Sequence, residues 1–190
     1  MFWPRLVQPL TVSIVVAMPQ WSQGAYRYGD YVAKFAVFPE GEHQKALAGE
    51  LIQPNDPIDV LSKCLRECHQ KDRITYWLGA QLLQNLEEQP VEDIGPTWDE
   101  KKYPFEKIAT LEFEPQESFD AAFRTWFDDS GVQCNPWHGL VEHQPLGSAQ
   151  RSRRVVYAES RKMRLKMNGL KDYTEPKSVA DVPVPAATAA

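Results

Sequence analysis

The chain has 190 residues, 43% of them hydrophobic, 25% charged and 11% aromatic, with 26 acidic side chains against 21 basic ones. That length suits one domain with tails, the apolar share excludes a wholly disordered chain, and the acidic balance argues against a nucleic-acid binder, whose affinity needs a basic surface. Three cysteines do not make a disulfide framework and no run reaches the roughly 18 apolar residues of a membrane helix, so a cytoplasmic protein without a membrane span is expected.

Residues 1–24 form a divergent opening segment. Its apolar stretch, 10–18, has the outline of a signal-peptide core. Pro4 and Pro9 interrupt the approach, only Arg5 precedes it, and no small-x-small site stands before Pro19, so a short buried strand or a makeshift start segment is the better reading. Residues 26–38 (YRYGDYVAKFAVF) are rich in aromatic and β-branched side chains and stop at Pro39, which predicts one long strand. After Pro57, the spacing of Ile58, Leu61 and Leu65 predicts a helix over 58–69. Alternation over 74–82 predicts a second strand, and 107–113 a third, closed by Pro115. Phe119, Ala122, Phe123, Trp126 and Phe127 make the stripe of an amphipathic helix. A basic helix is predicted over 148–167, and residues 170–190 read as a flexible tail too poor in apolar surface to offset its ordering entropy. Strands mixed with segregated helices indicate an α+β fold with antiparallel pairing.

The chemistry concentrates in RSRRVVYAESRKMR, residues 151–164. At about 100° per residue, Arg153, Tyr157 and Arg164 fall within about 40° of one another on a helix. Guanidinium groups flanking a phenol favour its phenolate, a hard anionic donor suited to ferric iron. An arginine fork also matches carboxylates such as the propionates of haem. A solvated basic face with one aromatic anchor is the plainer account of the same residues. Cys64, Cys68 and His69 lie close in sequence but supply fewer than the four ligands zinc usually takes, and Cys134 is remote, so these thiols read as buried packing groups.

Four segments carry a family likeness. CNPWHGLVEHQPLGSAQRSRRVVY (134–157) resembles the small catalase-like haem proteins, in which an N-P-W segment leads through an H-x-P-L-G turn into the tyrosine helix. The Arg153, Tyr157, Arg164 spacing is similar to the proximal-haem motif of the catalase superfamily. RYGDYVAK (27–34) resembles its strand entering the haem barrel, and PVEDIGPTWDEKKYPFEKIATLEF (90–113) its following loop and strand. The resemblance implies a catalase-like haem domain over residues 25–169, a partial antiparallel catalase-type β-barrel with a wrapping loop and C-terminal helices. It further implies haem b as cofactor, with Tyr157 as axial ligand of the iron, Arg153 stabilising the phenolate and Arg164 facing a propionate. The substrate class would be hydrogen peroxide or an organic hydroperoxide, lipid hydroperoxides included, and a homo-oligomer is compatible with it.

In that family a distal histidine and asparagine precede the strand matched to 27–34. Here the 26 residues before Arg27 contain neither, and His43, His69, His138 and His143 all follow. His138 and His143 are expected to shape the loop before the tyrosine helix. Two expectations stand: a haem protein acting on hydroperoxides, or a truncated, catalytically inactive catalase-like remnant or partner subunit.

Overall fold

The computed structural model describes residues 12–13, 15–53, 55–127, 135–170 and 176–182. The expectations for residues 1–11, for Cys134 and for most of the tail lie outside the described residues.

The apolar stretch near the start holds a two-residue strand, β1 (Val12–Ser13), paired antiparallel with β5 (Leu51–Ile52), Val12 opposite Ile52. A tight turn over Val15–Ala17 follows, with Val16 and Ala17 buried. A larger sheet takes β2 (Gln20–Trp21), β4 (Tyr31–Pro39), β6 (Ile74–Leu82) and β7 (Glu106–Phe113) in that order, with β3 (Tyr26–Tyr28) also paired to β4. The single strand predicted over 26–38 is instead a hairpin, β3 and β4. Gly29, at φ 63°, takes the left-handed conformation that a two-residue turn needs and that other residues resist. Glu40 N–H bonds the Thr75 carbonyl and Leu83 N–H the Val32 carbonyl, which sets β4 and β6 antiparallel in one register. The fold is thus α+β around an antiparallel sheet, and that sheet is open among the described residues.

Of the helices, α2 (Val60–Lys71) stands two residues later than the 58–69 its apolar spacing predicts, and α4 (Ser148–Met167) stands where the basic helix is predicted. The aromatic helix is short: α3 (Ala121–Trp126) starts where the Asp120 carboxylate accepts the Phe123 N–H at 2.6 Å. A further short helix, α1 (Glu42–Ala46), has no apolar stripe to announce it.

The chain divides into two compact units. The first comprises Met1–Gln20, Val37–Leu78 and Ala109–Ser118. Its core is Val16, Cys68 and Ile74, with Leu47, Cys64 and Tyr76 against them. Fully buried Gln44 ties this unit together: its Nε2 donates to the Val16 carbonyl at 2.8 Å, and its Oε1 accepts Thr75 N–H at 2.8 Å and Gly41 N–H at 3.3 Å. Both ends of the buried amide are therefore satisfied. The second unit comprises Trp21–Ala36, Gly79–Ile108 and Phe119–Ala190. Its buried residues include Ala25, Ala33, Ala36, Trp98, Tyr103 and Gln150. It contains three of the four family-like segments whole and most of the fourth.

Candidate functional site

In the second unit the loop before α4 lies along β3. Gly29 N–H bonds the Glu142 carbonyl, Arg27 N–H the Gln144 carbonyl and Leu146 N–H the Ala25 carbonyl, at 3.0, 2.8 and 2.9 Å. His143 stacks on Tyr28, ring centroids 6.0 Å apart. The H-x-P-L-G turn is thereby fixed to the R-Y-G-D-Y hairpin. Ahead of it, the Asn135 side-chain oxygen accepts Trp137 N–H at 3.0 Å, an Asx turn that aims the indole at α4. The indole N–H donates to the Gln150 carbonyl at 2.7 Å, and the Arg154 guanidinium sits 5.2 Å over the Trp137 ring.

Gly147 seats the start of α4. Its φ is 89°, and a Cβ there would lie 2.3 Å from the Val91 carbonyl oxygen, so only glycine fits. Next to it Ser148 Oγ donates to the Glu92 carbonyl at 2.5 Å. Arg151 makes a two-pronged pair with the Glu92 carboxylate, which holds that carboxyl below its ordinary range. Gln89 organises the same loop. Its Oε1 accepts Gln84 and Asn85 N–H while its Nε2 donates to the Leu82 carbonyl.

Arg153, Tyr157 and Arg164 all stand on α4 as predicted. Arg153 and Tyr157 are half-buried and Arg164 is exposed. Arg153 gives its hydrogen bonds to Gln150 Oε1 at 3.2 Å and to Gln23 Oε1, and none to Tyr157. The Tyr157 hydroxyl has no hydrogen-bond partner among the described residues. Sequence reasoning missed Gln23, Gln150 and Arg161. Arg161 lies one turn past Tyr157 and is only 8% exposed, but at about 80° from Arg153 it falls outside the 40° window that selects Arg164. Gln150, 1% exposed, leaves its Nε2 without a hydrogen-bond partner among the described residues. It packs so closely on Gly24 that a Cβ there would lie 2.8 Å from that nitrogen. No sequence signal marks a glutamine for this role.

A cleft of about 430 Å³ opens elsewhere in this unit, lined by Trp21, Lys34, Phe35, Trp98 and Phe105 among others, and Tyr157 is not part of its wall. Lys34 Nζ lies 4.7 Å over the Trp98 ring, and burial holds its pKa below the usual lysine value. Among the described residues no cluster of His, Cys, Asp and Glu is spaced to hold a metal ion, the Cys64, Cys68, His69 set included. No helix among them is long and apolar enough to cross a membrane.

The chain matches no protein-family model and no curated protein. Solved structures do resemble it. A fungal catalase superposes with a TM-score of 0.59 at 17% identity, over 83% of this chain and 32% of that one. Catalase A from Saccharomyces cerevisiae gives 0.59 at 15% identity, over 82% of this chain and 33% of its own. The chain therefore spans about a third of the length of these catalases, and over that span it has a catalase-like fold.

Proposed function

We propose that this chain holds haem b through the Tyr157 phenolate and presents the iron to a hydroperoxide, either hydrogen peroxide or a lipid hydroperoxide. The observation that carries this reading is one helix, α4, that bears a half-buried tyrosine with no hydrogen-bond partner among the described residues, half-buried Arg153 one turn before it, buried Arg161 one turn after it and exposed Arg164 further on, in a chain of catalase-like fold. The donor set fits the cofactor. A phenolate oxygen is a hard anion suited to ferric iron, and tyrosine ligation of haem iron is the known solution in catalase. Arg164, as a planar fork, matches a propionate carboxylate. Haem, when bound, supplies the iron centre at which peroxide reacts.

The chain's own residues do the rest. Tyr157 would hold the iron of a bound haem through its phenol oxygen, a hard oxygen donor suited to ferric iron. Gln150 and Gln23 grip the Arg153 guanidinium and hold it one turn before Tyr157. Trp137 and the Glu92–Arg151 pair fix the helix that carries all of them. In this reading residues 25–169 form the haem domain, the open sheet is part of a catalase-type barrel, and the protein works in the cytoplasm, with self-association compatible with its role.

The test is direct. Purified protein titrated with hemin should develop a Soret band and a ferric high-spin spectrum, and Tyr157→Phe should lose both. A spectrum that survives Tyr157→Phe unchanged overturns the assignment.

A further inference from the structure

The first unit contains a group of side chains that the haem reading does not use. On α2, Cys64 and Cys68 stand one helical turn apart and both pack into the core formed with Val16 and Ile74. Cys68 is 4% exposed and Cys64 half-buried. Cys68 Sγ lies 3.8 Å from Nε2 of His43, a residue of α1. On the far side of that ring, Nδ1 lies 3.6 Å from Oδ2 of Asp72, which caps the end of α2. The order is thiol, imidazole, carboxylate, with a second thiol one turn away. Plain core packing explains one buried and one half-buried thiol, but it does not call for a histidine and an aspartate in line behind one of them.

We propose that Cys64 and Cys68 form a peroxide-sensitive dithiol, in which Cys64 is oxidised first and Cys68, served by His43 and Asp72, closes a disulfide to it. The two sulfurs are suited to different steps. Cys64 is the one an oxidant reaches. Burial and the neighbouring Cys64 sulfur push the Cys68 thiol up to about 11, so it keeps its proton and waits.

In the first step the Cys64 thiolate attacks one oxygen of a hydroperoxide. The O–O bond breaks, the departing oxygen takes up a proton and leaves as water or alcohol, and Cys64 becomes a sulfenic acid. An uncharged sulfenic acid no longer repels a thiolate beside it. His43 then accepts the Cys68 proton, with Asp72 steadying the imidazolium. Cys68 attacks the Cys64 sulfur, the S–O bond breaks, and the hydroxide that leaves takes the proton from His43 and departs as water. Two thiols lose two electrons and one peroxide gains them.

The helix permits the bond. Residues four apart on an α-helix have Cα atoms about 6.2 Å apart, within the roughly 4.4–6.8 Å that disulfides span. The Cβ atoms, at about 5–6 Å on a regular helix, must be drawn together, so the turn distorts and the bond is readily reduced again. A reversible switch needs that property. None of these steps uses haem.

The experiment treats the reduced full chain carrying Cys134→Ser with one equivalent of hydrogen peroxide, followed by intact mass and tryptic mapping. Cleavage after Lys63, Arg66 and Lys71 separates the two cysteines. The expected result is loss of two hydrogens and a linked pair of peptides, 64–66 with 67–71, reversed by dithiothreitol and unchanged in Tyr157→Phe. Cys68→Ser should accumulate a dimedone-reactive sulfenic acid on Cys64, and His43→Gln should slow disulfide closure on the order of 10²-fold, as loss of a general base does. A chain that keeps both thiols, a product oxidised to sulfinic acid without the linkage, or dimedone labelling of Cys68 in a Cys64→Ser chain would overturn the proposal, and the mapping of the unmutated pair decides it even if a variant fails to fold.

Discussion

Arg151 closes on Glu92 with both prongs of its guanidinium, Nη1 to Oε1 at 2.9 Å and Nη2 to Oε2 at 2.6 Å. The pair joins the first turn of α4 to the loop that precedes β7. A similar pair, Lys102 with Glu88, fixes the same loop further along, and Tyr103 donates to the same carboxylate.

Both carboxyls sit below their ordinary 4.5 in the folded chain, chiefly through the hydrogen bonds from Arg151 and Lys102. The unfolded chain therefore takes up protons first as pH falls. The stability these pairs contribute is complete above the ordinary carboxylate range and drains away as pH drops through the lowered values. Thermal melts from pH 7 down to pH 3 should show Glu92→Gln losing less of its melting temperature on acidification than the parent. Equal losses in the two would remove Glu92 from the acid response.

Gly147→Ala should be among the most damaging single substitutions outside the core. A strained left-handed backbone costs about 1–3 kcal/mol, and the new methyl would press on the Val91 carbonyl. In a chain of this size each kcal/mol lowers Tm by roughly 2–4 °C. Differential scanning calorimetry should show a fall of several degrees, with Gly139→Ala, where a Cβ meets nothing within 4 Å, as the tolerated comparison.

Removing the Arg153 side chain should loosen haem without unfolding α4. Alanine keeps helix propensity, so the change falls on charge next to Tyr157. Arg153→Ala should transfer haem to apomyoglobin faster than the parent while its far-ultraviolet circular dichroism stays the same. Gln23→Ala should give a smaller shift in the same direction, because Arg153 would keep its bond to Gln150. Collapse of the helical signal in Arg153→Ala would mark the residue as structural.

How legible all this is in the sequence varies with the kind of signal. β6 at Ile74–Leu82 stands where its alternation predicts a strand and α4 at Ser148–Met167 where the basic run predicts a helix, although the residues α4 buries are Gln150 and Arg161 and not an apolar face. The hairpin at Gly29 was hidden inside a run of strand formers, where a single left-handed residue outweighs the propensities around it. Helical arithmetic places Arg153, Tyr157 and Arg164 on one side of a helix, and the family resemblance is what singles them out as candidates. Gln23 and Gln150 are found by neither, since they come from distant parts of the chain and meet Arg153 only after folding. The same holds for His43, which comes from another helix and meets both Cys68 and Asp72 only after folding.

Peroxide turnover by the haem-loaded chain is expected to be slow. Breaking the O–O bond needs a base that takes a proton and returns it, help worth about 10²–10⁴-fold. Three of the four histidines are already engaged: His43 with Cys68 and Asp72, His69 with the Leu65 carbonyl at 2.8 Å, and His143 against Tyr28. Oxygen evolution from hydrogen peroxide should barely exceed that of free hemin. A fast, Tyr157-dependent rate would point to His138, and His138→Ala would then have to abolish it.

β7 bears on how the protein behaves in bulk. Each of its residues is exposed, Ile108, Leu111 and Phe113 among them, and it stands last in the strand order among the described residues. An edge of this kind offers amide and carbonyl groups to any other extended segment, and only scattered charge discourages the match. Glu106, Lys107 and Glu112 supply that charge, and Arg73 draws on Glu112 from the neighbouring strand's end. Acid or high salt, by neutralising or screening these few charges, is expected to favour cross-strand aggregation along this edge.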